Sequence, residues 1–255
     1  MYIKEVNVTK QGDQTATVNA YVEEKKITAY GGKGTANVTF ADGVTTVTAT
    51  AVQNATTVWN PAGNPSTTGL WSEAANWTDG VVPNNNKVVT NVPGAREAVL
   101  NIESTIKQFV LGDGGDGGTV RIANGGTLTT TSGWSGIGWT APAKMIVDMG
   151  GTVNFAEHAW IGWESDAILE INGGTVNVAG MYGTAFEGQA GKASVQVKKG
   201  ELNLTGFHPE KSIPDSSVLN LELGVVTIAG DQTAAVNAYA EAGKITAFGG
   251  TGTLN

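Results

Sequence analysis

Residues 145–178 read MIVDMGGTVNFAEHAWIGWESDAILEINGGTVNV, and this stretch decides the fold. It holds one phrase twice: an alternating apolar pair, a Gly-Gly-Thr-Val turn, then a second alternating pair. Working outward, the turn recurs as Gly125-Gly126-Thr127-Leu128, Gly150-Gly151-Thr152-Val153 and Gly173-Gly174-Thr175-Val176. It decays to Lys199-Gly200-Glu201-Leu202 and Leu223-Gly224-Val225-Val226. The second glycines stand at 126, 151, 174, 200 and 224, giving steps of 25, 23, 26 and 24. A period in the twenties, with β-branched residues around a glycine turn, is the signature of a solenoid coil.

Before each turn lie Val120/Ile122, Met145/Val147, Leu169/Ile171, Val195/Val197 and Leu219/Leu221. After it lie Val153/Phe155, Val176/Val178, Leu202/Leu204 and Val226/Ile228. The i, i+2 spacing points both members of a pair to one face. A single coil cannot bury such residues, whereas stacked coils close them into one apolar column. Ala98-Val99-Leu100 and Ile106 to Gly112 read as earlier, less regular coils. The expected fold is all-β: a right-handed parallel β-helix, a solenoid with coils of that same period, and a small β segment at its N-terminal side.

Composition narrows the function. Glycine is abundant, with 36 residues, and only 15% of the 255 residues are charged. Against 15 Lys and Arg stand 23 Asp and Glu, a formal net charge of −8. That balance argues against nucleic acid, which needs a basic stripe, and against a polyanionic glycan. With no cysteine, disulfides, thiolate catalysis and cysteine-bound zinc are excluded. Apolar runs fall short of the roughly 18 residues of a membrane span. Met1-Tyr2-Ile3-Lys4-Glu5 lacks the apolar segment of a secretory leader. With its secreted-type composition, the chain therefore reads as a mature or excised stretch of an extracellular or cell-surface protein.

A second repeat is much longer. Residues 13–37 (DQTATVNAYVEEKKITAYGGKGTAN) return at 231–255 (DQTAAVNAYAEAGKITAFGGTGTLN), an offset of 218, with 18 of 25 positions identical. The division expected is a β segment over 1–57, homologous to the end of the module, and a β-helix module over 58–255. Two readings of the repeat stand: a remnant of a preceding module, or equivalent caps on the two ends of one solenoid. Trp59-Asn60-Pro61, Trp71 and Asn76-Trp77 mark an entry cap over 58–93, because an open solenoid end exposes strand edges and apolar surface.

The residues after each turn carry the functional signal. Counted from the second glycine, Trp134, Trp160, Tyr182 and Phe207-His208 fall at offsets 7 to 9, and Trp139, Trp163 and Phe186 at 12 to 13. Stacking then places two aromatic columns on one side of the solenoid with rungs about 4.8 Å apart. Gly133-Trp134-Ser135-Gly136-Ile137-Gly138-Trp139 and Ala159-Trp160-Ile161-Gly162-Trp163 send Ile137 and Ile161 inward and the tryptophans outward on this reading. Exposed indoles suit sugar rings: pyranoses have apolar C–H faces, and rigid aromatics lose little entropy on binding. Glu157, His158, His208, Glu164, Asp166 and Glu187 stand near as partners for hydroxyls. The competing reading is an internal aromatic ladder that only packs.

Signals for catalysis are poor. His158 and His208 are separated by about two coils, each beside an aromatic. A β-helix lyase needs acidic Ca²⁺ ligands and a basic residue against an acidic sugar. The two arginines, Arg96 and Arg121, belong to no acidic cluster at coil spacing on this reading. A hydrolase needs paired carboxylates, and nothing in the spacing of Glu157, Glu164 and Asp166 singles out a pair. Asp113 and Asp116, in Gly112-Asp113-Gly114-Gly115-Asp116-Gly117-Gly118, are candidate Ca²⁺ ligands. Calcium β-rolls repeat such motifs, and this one occurs once, so a turn is the better reading and no cofactor is expected.

On its Trp…Asn-Trp…Pro entry (Trp59 to Pro83) and its Leu111-Gly112-Asp113 turn, the module resembles secreted bacterial β-helix repeat proteins. More narrowly, the whole is similar to β-helix carbohydrate-binding modules attached to xylanases of gut bacteria. That resemblance implies a non-catalytic module binding xylan or a related neutral plant polysaccharide, with a covalently attached catalytic domain as partner. Two alternatives belong to other classes: a structural or adhesive repeat of a large surface protein, and a β-helix polysaccharide-degrading enzyme.

Overall fold

The coils set by the Gly-Gly period are present in a computed structural model, which describes residues 2–3, 8–32, 34–51, 54–59, 69–91, 97–114, 117–184, 191–208, 213 and 216–254. The chain divides into two units, 1–54 with 79–81, and 55–78 with 82–255. In the first unit lie β1 (Tyr2–Ile3), β2 (Val8–Gln11), α1 (Thr15–Glu23), β3 (Thr28–Ala29), β4 (Gly34–Ala41) and β5 (Val44–Ala51). They form one sheet in the order β1-β3-β4-β5-β2, in which β1 runs parallel to β3 and the other pairs are antiparallel. Asp42 and Gly43, both with positive φ, make the tight turn between β4 and β5.

The second unit is a right-handed parallel β-helix of about six coils. It begins with β6 (Thr56–Trp59), β7 (Lys87–Thr90), β8 (Glu97–Leu100), β9 (Glu103–Ile106) and β10 (Gln108–Leu111). The next two coils are β11 (Gly118–Ile122), β12 (Thr127–Thr130), β13 (Ser135–Ile137), then β14 (Ala143–Asp148), β15 (Thr152–Phe155), β16 (Ala159–Ile161). Two long strands, β17 (Ala167–Thr184) and β18 (Ala193–Phe207), each run around all three faces. The last full coil holds β19 (Val218–Leu221), β20 (Val225–Ile228) and α2 (Thr233–Glu241), and β21 (Ile245–Ala247) stacks on β19 one rung further along.

Three parallel faces result. On the first, Ala98, Val120, Met145, Leu169, Val195, Leu219 and Ile245 stand in register. On the second, Leu128, Val153, Val176, Leu202 and Val226 do. The third carries β6, β7, β10, β13 and β16 and the ends of β17 and β18. Nearly all of these inward residues are fully buried in one cluster, and each such side chain contributes about 1.5–3 kcal/mol. The Gly150-Gly151 turn shows why two glycines are needed. Gly150 has φ +78, and a Cβ on Gly151 would lie 2.7 Å from the Ile122 carbonyl oxygen of the coil below.

At the first coil, Trp59, Trp71 and Trp77 are buried in the same cluster. Their ring centroids lie 4.5 to 6.4 Å apart, and Trp71 Nε1 donates to Ser104 Oγ while Trp77 Nε1 donates to the Trp71 carbonyl.

Two features add to or depart from the sequence reading. The N-terminal segment is a β segment as expected, and it also holds one helix, as does its second copy. Asp13 accepts the Thr15 N–H at 3.0 Å and Asp231 the Thr233 N–H at 3.1 Å, which satisfies an orphan donor of each first turn. Each helix ends with a left-handed residue, Lys25 or Gly243, and a bond from the Lys26 or Lys244 N–H to the carbonyl of Tyr21 or Tyr239. The departure concerns Arg121. It was expected apart from acids at coil spacing, yet its guanidinium bonds Glu97 at 2.7 Å and Asp148 at 3.0 Å, one coil to either side. Glu97 and then Asp148 hold its pKa above the ordinary arginine value, and Arg121 holds that of Glu97 below the usual carboxylate range.

Candidate aromatic binding surface

The outer side of the third face carries the aromatic layer. In β13 and β16 strand alternation sends Ser135, Ile137, Ala159 and Ile161 inward, and all four are buried. Gly136 and Trp160, paired in register, point the other way. After each strand comes a glycine in the left-handed region, Gly138 at φ +72 and Gly162 at φ +75. This turn folds the following indole back over the face it has just left. The proof is at Gly136, where a Cβ would overlap Cε3 of Trp139: the indole occupies the space a side chain would need.

Coil stacking then brings Trp139 and Trp163 into a parallel stack, centroids 4.4 Å apart and planes 12° apart, close to the spacing between strands. Trp163 meets Trp160 edge-on at 5.1 Å, and Trp134 leans on both at 6.1 and 6.0 Å. His158 lies 5.6 Å from Trp134, and His208 lies 5.2 Å from Trp160. The two histidines, two coils apart along the chain, come within 6.2 Å of each other. Backbone bonds fix both: Ser135 N–H donates to the His158 carbonyl, and His208 N–H to that of Tyr182. Gln108 Nε2 donates to the Trp134 carbonyl at 2.5 Å.

The expectation of a fully outward column fails at Trp160, Tyr182 and Phe207. Trp160 points outward but is only 1% exposed, roofed by Trp134, Trp163 and His208. Tyr182 is paired with inward Ala159 and belongs to the core, where burial pushes its phenol up. Phe207, in register with Tyr182, packs on the same core and reaches Tyr239 of α2 at 5.3 Å. On the surface stand Trp134, 40% exposed, with Trp139, Trp163, His158 and His208 half-buried around it and Glu157 and Glu164 exposed. Phe186, Glu187, Arg96 and Asp116 lie outside the described residues.

Asp113 is tied into its corner by Asn91, which accepts its N–H at 2.8 Å, and it approaches Lys87 at 3.7 Å. Among the described residues no three His, Asp or Glu side chains gather as a metal-holding group. Asp166 accepts the Lys192 N–H, away from Glu157 and Glu164 in role. The surface therefore offers flat apolar rings with polar groups at their margins, which suits hydroxylated rings.

Sequence reasoning missed the outer side of the second face. Thr129, Asn154, Asn177, Asn203 and Thr227 stand in register there. Asn154 donates to Thr129 at 3.2 Å, Asn177 to Asn154 at 2.8 Å and Asn203 to Asn177 at 2.9 Å. This ladder lines a shallow groove of about 490 Å³. The signal was present: each member lies three residues after the second glycine of its coil. The first face was missed too. Its outer side holds Glu170 between Lys144 at 3.0 Å and Lys198 at 3.1 Å. Burial raises the Glu170 pKa, but bonds from Asn172, Lys144 and Lys198 outweigh it and hold the pKa at about 2.

No protein-family model, curated protein or solved structure matches the chain.

Proposed function

We propose that this chain is a non-catalytic carbohydrate-binding module that holds a neutral plant cell-wall polysaccharide, xylan foremost, against the outer third face of its β-helix. One observation carries the reading: Trp134, Trp139 and Trp163 form an aromatic layer on the outside of a rigid sheet, with His158 and His208 beside it. Indoles held by a folded scaffold stack on sugar C–H faces without losing rotamer freedom. The imidazoles, Glu157 and Glu164 would bond hydroxyls at the edge of the stack. A chain of net charge −8 favours an uncharged glycan. The role fits an extracellular protein in which the module keeps an attached glycoside hydrolase on its substrate, with no cofactor.

A second reading, a structural or adhesive repeat of a larger surface protein, is favoured by a different observation. The terminal coil occurs twice, at an offset of 218, with the same helix and the same turn. Affinity electrophoresis against soluble xylan, mannan, β-glucan, xyloglucan and pectin separates the two. Binding predicts retardation by a neutral glycan that falls at least tenfold in Trp134→Ala and Trp163→Ala, with unchanged circular dichroism. Trp160→Ala is a poor probe, because that ring is buried beneath the others. Retardation by none of the glycans would overturn the binding reading, and release of sugar on long incubation would replace it with an enzymatic one.

A further inference from the structure

The two copies of the terminal coil match beyond their shared sequence. Tyr2 pairs Thr28 and Ile3 pairs Ala29 in the first unit; at the same offset in the second, Asn220 pairs Thr246 and Leu221 pairs Ala247. Special backbone positions coincide as well: Gly12 and Gly230 at φ +81 and +75, and Tyr30 and Phe248 both at +48. The first copy carries something on its edge. The β4–β5 hairpin pairs with β2 through Val8↔Val47, Thr9↔Thr46 and Lys10↔Thr45, and with β3 at Ala29↔Gly34. Gly12 N–H donates to Gly43 O, Thr45 Oγ1 donates to Gly12 O, and Gln14 N–H donates to Thr45 Oγ1, each at 2.8 Å.

Backbone parity shows which edge the hairpin uses. Gly12 bonds to it, so by the two-residue alternation of an antiparallel ladder Lys10 and Val8 do as well. Their counterparts are Gly230, Ile228 and Val226. In the β-helix the Ala229 N–H donates to Leu204 O of β18, so 229, 227 and 225 face the coil below. Residues 226, 228 and 230 face the opposite side, where β20 has no strand partner among the described residues. The hairpin of the first copy thus sits on the very edge that the second copy leaves open. Gly252 N–H to Ala247 O, 3.0 Å, already repeats the pairing at which β4 begins. An apolar cavity of about 450 Å³ opens beside that edge, lined by Leu219, Leu221, Val226, Ile228, Val236 and Ile245. In the first copy Val47, opposite Val8, is buried, and its counterpart would lie against Val226.

We propose that the last coil is an acceptor site for one antiparallel β-hairpin of the Thr/Val-rich kind formed by Gly34–Ala51, docking along Val226–Gly230 and starting from the Ala247–Gly252 turn. Main-chain bonds would give the affinity and the apolar cavity the register, the logic of strand addition at a sheet edge. The site does not depend on the glycan reading.

The test extends the full chain with residues 38–54 placed after Asn255, and compares it with the unextended chain and with an extension of scrambled sequence. Amide hydrogen exchange at Val226, Ile228 and Gly230 should slow at least tenfold in the extended chain alone, while Thr227 and Ala229, already bonded to the coil below, stay unchanged. Ile228→Pro in the extended chain should abolish that protection and leave the tryptophan fluorescence native, since the lost N–H faces away from β18. Equal exchange at the three amides with and without the extension overturns the proposal. So does protection in the unextended chain that rises with concentration alongside dimer formation, which would make a second copy the occupant.

Discussion

Residues 13–37 and 231–255 are identical at 18 of 25 positions but differ in their surroundings. Both fold into a nine-residue helix with Asp13 or Asp231 at its start and a left-handed residue at its end. Both hang a lysine over a tyrosine ring, Lys26 on Tyr21 at 5.5 Å and Lys244 on Tyr239 at 5.9 Å. Burial is where they part. Tyr239 packs on the core through Phe207, and burial raises its phenol, whereas Tyr21 is 43% exposed. The local conformation is thus written in the segment itself, and its tertiary stabilisation is supplied by whatever lies beneath it.

The sharpest way to break this comparison is to delete the two tyrosines. Tyr239→Ala should weaken protection of the α2 amides against hydrogen exchange by about 2 kcal/mol, and Tyr21→Ala that of α1 by less than about 0.5 kcal/mol. Equal losses would mean that α2 does not lean on the column. The helix ends come next. Lys25 has φ +56 where the other copy has Gly243 at φ +68. Lys25→Gly should stabilise α1 by about 1 kcal/mol and Gly243→Lys should cost α2 about the same, read by the same exchange experiment.

The smallest effect concerns acid. The Thr15 and Thr233 N–H groups hold the carboxyls of Asp13 and Asp231 below the usual range. A carboxyl whose pKa is lower folded than unfolded adds stability above its unfolded pKa, and that is lost as pH falls through the folded value. An NMR titration should find both carboxyls depressed and alike, with helix fraying in each copy as they protonate. A normal pKa at one of them would show that the two starts are not equivalent.

The column of inward residues was legible because glycine turns mark every coil and alternation marks every strand. The aromatic face was half legible. Counting from the second glycine aligned Trp134, Trp160, Tyr182 and Phe207, but the corner before the third face varies in length. The inward positions there are Ser135, Ala159, Tyr182 and Phe207, at offsets 9, 8, 8 and 7 from that glycine. A slip of one residue turns a side chain through the sheet, so Trp134 and Trp160 face out while Tyr182 and Phe207 face in. The helices stayed hidden because Thr15–Glu23, with its β-branched residues and no buried position, shows no apolar stripe. Arg121 was misjudged because its partners are found by adding a coil length in both directions, a sum that composition does not suggest.

The uniform coil has a kinetic meaning. Along the first face, paired positions from Ala98 to Ile245 follow one another in steps of 22, 25, 24, 26, 24 and 26. Each new coil therefore closes the same short loop, at an entropic cost on the order of 3 kcal/mol, and relative contact order is roughly 0.1, a value more usual for helical bundles. Assembly of this parallel sheet should behave as a zipper: slow to set its first pair of coils, fast to add each later one, and first to fray at the two ends.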